Sequence, residues 1–296
     1  MILLDCNAIC YQAHYTTRTL TASDGTPTGI IYGFFQQLRT IVEQVSDARL
    51  VFCWDSRHSL RKERCATYKA NRDKKREEDP TIFDSMMQFE ELRTVVLPLL
   101  GIQNNFMVKG YEADDLIAYF CKQYRNENDF ITIASNDQDL YQLLGKNVSM
   151  YKPSKGVFYT HADFHKEYDG IVPGQWAHLK AIVGCPSDNV IGIRGVGEKT
   201  AVKWLSDSEC YIQKIDCEEG QKIIKANYPL VHLPLKGLPR MELCFEKLDY
   251  EKWKEFCVKY EFQSFLKDRF WADLFALKAP VGFFAPPVKR RRHGKR

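Results

Sequence analysis

Residues 130–137 read FITIASND, an apolar run that turns polar and closes on Asp137. Two earlier stretches have the same form. Residues 2–6, ILLDC, carry Asp5, and residues 49–55, RLVFCWD, end on Asp55. Apolar runs this short and this continuous suit strands buried on both faces, as in a parallel sheet. Between them the patterning predicts helices over about 28–45, 80–100 and 112–125. Alternating strand and helix predicts an α/β fold, a mainly parallel central sheet flanked by helices with right-handed crossovers. Residues 147–152 and 156–160, joined by a Pro-Ser-Lys-Gly turn, read as an antiparallel hairpin near the sheet edge.

From about residue 161 the texture becomes helical. A helix is expected from Pro173 to Val183, then a Gly-rich stretch, then helices near 198–206, 217–227 and 249–260. The expected organisation is an α/β core over 1–165, a helical region over 166–278, and a disordered basic tail over 279–296 ending KRRRHGKR. The 296 residues are 45% hydrophobic and 27% charged, ordinary for a globular protein. No run approaches the roughly 18–20 apolar residues of a membrane span. The opening MILLDCNAIC lacks the basic start of a signal peptide. Ten cysteines show no CxxC pair, and seven histidines no HExxH pattern. Reduced, buried thiols in a cytoplasmic protein are therefore expected, rather than a disulfide scaffold or a zinc site. Net charge is only +4. Setting aside the acids considered next leaves a strongly basic remainder that suits a polyanionic partner.

In open α/β sheets ligands bind beyond the carboxyl ends of the strands, where Asp5, Asp55 and Asp137 fall. Asp139 lies two residues further on, and Glu112, Asp114 and Asp115 stand at an expected helix start. Singly, such acids are turn formers or helix caps. Seven carboxylates on one rim would instead repel one another and raise their pKa values, which hard cations relieve. Oxygen ligands without His or Cys select Mg²⁺ or Mn²⁺. Two such ions about 4 Å apart are the usual clamp for phosphodiester hydrolysis.

Residues 57–76 hold nine basic and two acidic residues, among them Arg61, Arg64, Lys69 and Arg72. Such a run can be no more than a solvated surface, but here it directly follows Asp55 and is expected to overhang the acids. Lys69 and Arg72, three apart, would share a helical face. Tyr68 is a candidate to stack on a base or to pack in the core. Residues 192–200, GIRGVGEKT, lack the preceding strand of a dinucleotide-binding motif. Between two expected helices they read as a helix–hairpin–helix turn, in which Gly195 and Gly197 let backbone N–H groups approach a phosphate and Lys199 adds a charge. A purely structural tight turn is the alternative.

Taken together, the chain resembles the 5′ nuclease family, the flap endonucleases of tailed bacteriophages and the 5′-exonuclease domain of bacterial DNA polymerase I. The resemblance runs from Met1 to about Leu277. It rests on LLD at 3–5, the Trp54-Asp55 strand end, a loose RxxYKxxR at Arg64–Arg72, EADD at 112–115, SNDQD at 135–139 and SDNVIGIRGVGEKTA at 187–201. It implies a PIN-like nuclease core, a helical arch around 57–100, and a helix–three-turn–helix at about 174–206 that grips duplex DNA around a K⁺ ion. It implies metal ligands at Asp5, Asp55, Glu112, Asp114, Asp115, Asp137, Asp139 and Asp188. Lys69 and Arg72 would contact the scissile phosphate and, with Asp115, serve catalysis. The activity implied is metal-dependent 5′-3′ exonuclease and flap endonuclease cleavage of DNA at 5′ ends and single-strand/duplex junctions, in replication or repair. The protein would be a stand-alone monomer in a bacterial cell or a phage-infected host.

One position departs from the family pattern. Cys185 stands where the family usually has Asp, three residues before Asp188. A thiol is a poor Mg²⁺ ligand, so weaker binding at the second metal position and slower or Mn²⁺-favouring cleavage are expected. That departure keeps open a DNA-structure-binding protein with little catalysis. A ribonuclease acting on RNA–DNA hybrids is the third reading.

Overall fold

The computed structural model describes residues 1–45, 49–125, 130–207, 209, 211 and 218–275. Six strands form the main sheet: β1 (Ile2–Asp5), β2 (Leu50–Trp54), β3 (Asn105–Met107), β4 (Ile131–Ala134), β5 (Val148–Lys152) and β6 (Val157–Tyr159). Their order is β3-β2-β1-β4-β5-β6, parallel except for the β5–β6 hairpin at one edge. The three Asp-bearing strands are therefore adjacent at the centre. Leu3 faces Val51 on one side and Ile133 on the other, so all three chains leave the sheet at the same end.

Strand periodicity sends alternate side chains to opposite faces, and each face has its own core. Ile2, Leu4, Phe52 and Trp54 pack against helices Cys6–Thr17, Gly29–Val45 and Tyr250–Lys259. Leu3, Val51, Ile131 and Ile133 pack against helices Ala113–Tyr124 and Trp176–Val183. The first core closes with an aromatic cluster from distant parts of the chain: Trp253 lies 5.1 Å from Phe35, 4.5 Å from Trp271 and 4.8 Å from Phe275 between ring centroids. Residues on both sides of 165 thus share both cores.

The mainly parallel, helix-flanked sheet is the fold class expected. Helix Cys6–Thr17 was not foreseen, because Asp5 both ends β1 and caps that helix, accepting from Ala8 N–H at 3.0 Å. The three-residue edge strand β3 was missed as well. The stretch expected as an arch contains helices Leu60–Arg64, Ala70–Glu78 and Pro80–Glu91, the last running on through a π turn to Leu99. Helix Trp176–Val183 is followed by a two-strand ribbon, β7 (Gly184–Cys185) and β8 (Val190–Ile191), and then by helix Glu198–Ser206. Among the described residues no helix is long and apolar enough to cross a membrane. The basic tail and residue 217 lie outside the described residues.

Candidate metal centre

Three strand ends deliver the first acids. One Asp5 carboxylate oxygen caps its helix, and the other accepts from Ser135 Oγ at 2.9 Å, across from β4. Asp55 accepts from Ala113 N–H at 2.8 Å, and its own N–H donates to Asn7 Oδ1 at 2.9 Å. Asp137 caps the short 3₁₀ helix Gln138–Leu143 through Asp139 N–H at 2.8 Å. Each acid is therefore oriented by a backbone N–H, local for Asp5 and Asp137 and from the start of helix Ala113–Tyr124 for Asp55.

The charges of these groups act on one another. Burial, and next the Asp55 charge, push the Asp5 carboxyl up to about 7, with Asp137 adding to the rise. Burial raises Asp114 well above the usual carboxylate range, and Asp137, Asp5 and Asp55 reinforce it. Asp139 is pushed up to about 6 by burial and by Asp137. Burial also raises Asp55 and Asp188. Glu112 differs: burial opposes its charge, but Lys69 and Arg61 outweigh burial and hold it below its ordinary value. Asp5, Asp55, Glu112, Asp114, Asp137, Asp139 and Asp188 thus form one continuous cluster. Oxygen donors such as Asp5, Asp114 and Asp139, each raised in part by neighbouring carboxylates, are the kind of group a divalent cation relieves. Beside it, one donor atom each from Asp139, Cys185 and Asp188 lie within 4.8 Å of one another.

Asp115 does not face this cluster, which corrects the expectation that it is an open ligand. It is completely buried and forms a bidentate ion pair with Arg61, at 2.6 and 2.7 Å. Its oxygens also accept from Glu112 N–H at 3.1 Å and Leu235 N–H at 2.7 Å, which fills its hydrogen-bonding capacity. Arg61, expected at the DNA surface, is 1% exposed and also donates to the Leu230 carbonyl at 2.9 Å. Tyr68 is likewise buried rather than free to stack, donating its hydroxyl to Glu112 at 3.1 Å. Arg61 was thus read from sequence as a surface group, Asp115 as a metal ligand, and for Tyr68 the packing alternative is the one the structure shows.

Two basic residues of the run, Lys69 and Arg72, reach over the acids. Lys69 Nζ donates to Glu112 at 2.8 Å, and Arg72 donates to Asp188 at 2.6 Å. The two do not share a helical face. Lys69 precedes helix Ala70–Glu78 in the left-handed region, φ 55°, and its N–H donates to the Asp188 carbonyl at 2.9 Å. Strained backbone of this kind persists where surrounding contacts over-determine it. Arg64 is exposed, as are Gly195, Gly197 and Lys199. A Cβ added at Gly195 or Gly197 would meet nothing within 4 Å, so the turn's backbone is open to a large ligand. Lys180 was missed in the sequence. It is the one cation in the apolar helix WAHLKAIV, and its Nζ lies 3.6 Å from Asp139.

The family model described as "5′-3′ exonuclease, N-terminal resolvase-like domain" matches residues 1–169. The 5′-3′ exonuclease of Bacillus subtilis is 35% identical over 218 residues, covering 70% of this chain and 70% of that protein. This chain belongs to the 5′-3′ exonuclease family. Within that family, the thermostable DNA polymerase I of Thermus aquaticus is 35% identical over 207 residues, 70% of this chain but 24% of the polymerase. The chain thus spans about a quarter of that polymerase's length. The fold is similar to T5 5′-exonuclease solved with divalent zinc ions, at 19% identity and TM-score 0.66, covering 93% of this chain and 98% of that one. It is also similar to flap endonuclease-1 from Methanococcus jannaschii, at 14% identity and TM-score 0.52, covering 92% and 90% of the two chains.

Proposed function

We propose that this 5′-3′ exonuclease family member hydrolyses DNA phosphodiesters near 5′ ends and at single-strand/duplex junctions, with flap endonuclease activity. The observation that carries this reading is the partly buried acidic rim, where Asp5, Asp114 and Asp139 are raised by burial and by neighbouring carboxylates, overhung by Lys69 and Arg72. Asp5, Asp55, Glu112, Asp114 and Asp137 would hold one divalent cation, Mg²⁺ with Mn²⁺ able to substitute. Asp139 and Asp188 would serve a second. When bound, the cations supply a water nucleophile that ionises near neutral pH and offset charge on the phosphate.

The chain's own residues do the rest. Ser135, Asn7 and the Ala113 N–H hold Asp5 and Asp55 in register at the rim. Lys69 and Arg72 exchange Glu112 and Asp188 for the incoming phosphate and bring a polyanion into a negative cleft. The open backbone at Gly195 and Gly197, with Lys199 and a K⁺ ion, would grip the duplex away from the cut. The protein would act as a cytoplasmic monomer in a bacterial cell or a phage-infected host.

Cys185 favours a second reading, a DNA-structure-binding protein with little catalysis. One experiment separates the two. A 5′-labelled flap duplex with Mg²⁺ is incubated with wild type and with Asp114→Asn. Metal-dependent release of the labelled flap by wild type, lost in Asp114→Asn, supports hydrolysis. Tight flap binding with no release by either protein overturns it.

A further inference from the structure

Three donors of two chemical kinds converge from three separate elements beside the oxygen-only acids. Asp139 comes from the 3₁₀ helix after β4, Cys185 from β7, and Asp188 from the turn Pro186–Asp188. One donor atom from each lies within 4.8 Å of the others. Cys185 and Asp188 are each 5% exposed, so the group is screened from solvent. Local structure fixes it there. Gly184, at φ +85°, turns the chain out of helix Trp176–Val183, and Cys185 then pairs with Val190 in the two-strand ribbon. The Cys185 Sγ faces Ser187 Oγ at 3.1 Å, and two basic groups attend the carboxylates, Lys180 on Asp139 and Arg72 on Asp188.

Metal–sulfur bonds to zinc are about 2.3 Å and metal–oxygen bonds about 2.0–2.2 Å, so donors on one ion stand at most about 4.5 Å apart. Shifts of a few tenths of an ångström would bring these three onto a common ion. Their chemistry discriminates between cations. Mg²⁺ prefers oxygen and six-fold geometry, whereas a thiolate selects zinc-class ions, for which affinity exceeds that of Mn²⁺.

We propose that Asp139, Cys185 and Asp188 form a site for a thiophilic divalent cation of the zinc class, ligated by the Cys185 sulfur, so that the cleft holds two unlike cations. On binding, the thiol proton leaves to solvent and a metal–sulfur bond forms, without change of oxidation state. Cys185 then turns selectivity at this position toward zinc-class ions, where its sequence suggested weaker binding and slower or Mn²⁺-favouring cleavage. The inference rests on the acidic cleft being a cation site.

The test uses the full-length protein stripped of metal and titrated with Cd²⁺ in excess Mg²⁺, following the thiolate-to-cadmium charge-transfer absorption. Zn²⁺ affinity is measured by competition. Wild type, Cys185→Ser and Cys185→Asp are compared, because Cys244 is exposed and would add background. The expected result is a one-equivalent band lost in Cys185→Ser, with Zn²⁺ affinity falling at least about tenfold. Cys185→Asp should bind Mg²⁺ more tightly than wild type does. An unchanged band or equal Zn²⁺ affinity in Cys185→Ser overturns the proposal. Mn²⁺ binding by wild type, read by electron paramagnetic resonance, separates the two failures. Mn²⁺ bound without a Cys185-dependent band defeats this inference alone, and no binding of either cation defeats the cation-site reading as well.

Discussion

Replacing Arg61 with methionine removes the guanidinium that neutralises Asp115 in the interior. The two side chains are 1% and 0% exposed. Arg61→Met leaves Asp115 only the Glu112 and Leu235 N–H groups and strips the Leu230 carbonyl of its donor. Breaking one side of a buried pair costs about 3–5 kcal/mol, because a charge is left uncompensated. Two lost charged hydrogen bonds at about 1.5–3 kcal/mol each give about 3–6 kcal/mol, which overlaps that range. Asp115→Asn should cost less, about 1.5–3 kcal/mol, since Arg61 keeps Glu112 at 3.7 Å and the Leu230 carbonyl. The double variant Arg61→Met/Asp115→Leu should fall short of the summed losses by about 1–3 kcal/mol. Urea unfolding followed by tryptophan fluorescence measures all three. An Arg61→Met protein within about 1 kcal/mol of wild type would refute the clamp, as would an additive double variant. The clamp matters to the site because it joins helix Leu60–Arg64 and residues 230–235 to the helix start that carries Glu112 and Asp114.

Two further outcomes are expected. The raised acids bind protons in the folded protein that the unfolded chain has released, so their stabilising contribution is full below the unfolded pKa and lost as pH rises through the folded one. His14, His178 and His232 are lowered, chiefly by burial, and lose stability in the opposite sense as pH falls below their ordinary value of 6.5. Above that value the Asp5 carboxyl, at about 7, and Asp114, raised well above the usual carboxylate range, set the trend. Metal-free protein should therefore melt lower at about pH 8.5 than at about pH 6.5, and Mg²⁺ should stabilise more at the higher pH; a flat melting profile and a pH-independent Mg²⁺ effect would contradict this. Gly184→Ala should lose more stability than Gly195→Ala, for which only left-handed strain of about 1–2 kcal/mol applies, because a Cβ at Gly184 would sit 2.5 Å from Gly192 N and Val190 O; equal melting temperatures would contradict it.

Much of this arrangement was legible from residue pattern. Short apolar runs ending in Asp marked the three central strands, and their adjacency put Asp5, Asp55 and Asp137 at one rim. The Gly-rich turn leads into helix Glu198–Ser206 as expected, but it is entered from the short strand β8 and not directly from a helix. What escaped was partner choice, which depends on tertiary contact. Nothing near Arg61 in sequence marks it as the counter-ion of Asp115, 54 residues away. Tyr68 and Lys69 sit in a basic run whose order in the chain suggests it overhangs the acids, but nothing in that order names Glu112 as the shared partner of both. Periodicity also misread the stretch after Asp5. Cys6, Ile9, Cys10 and Ala13 carry helical spacing, but the start of the helix was hidden inside a continuous apolar run.

The central claim is that strand-end acids from distant parts of the chain share bound cations. Crystals grown with Mn²⁺, with anomalous scattering collected at the manganese edge, test it directly. A peak among Asp5, Asp55, Asp114 and Asp137 is the expected result. A cleft without anomalous density, while manganese binds elsewhere on the same molecule, would contradict it.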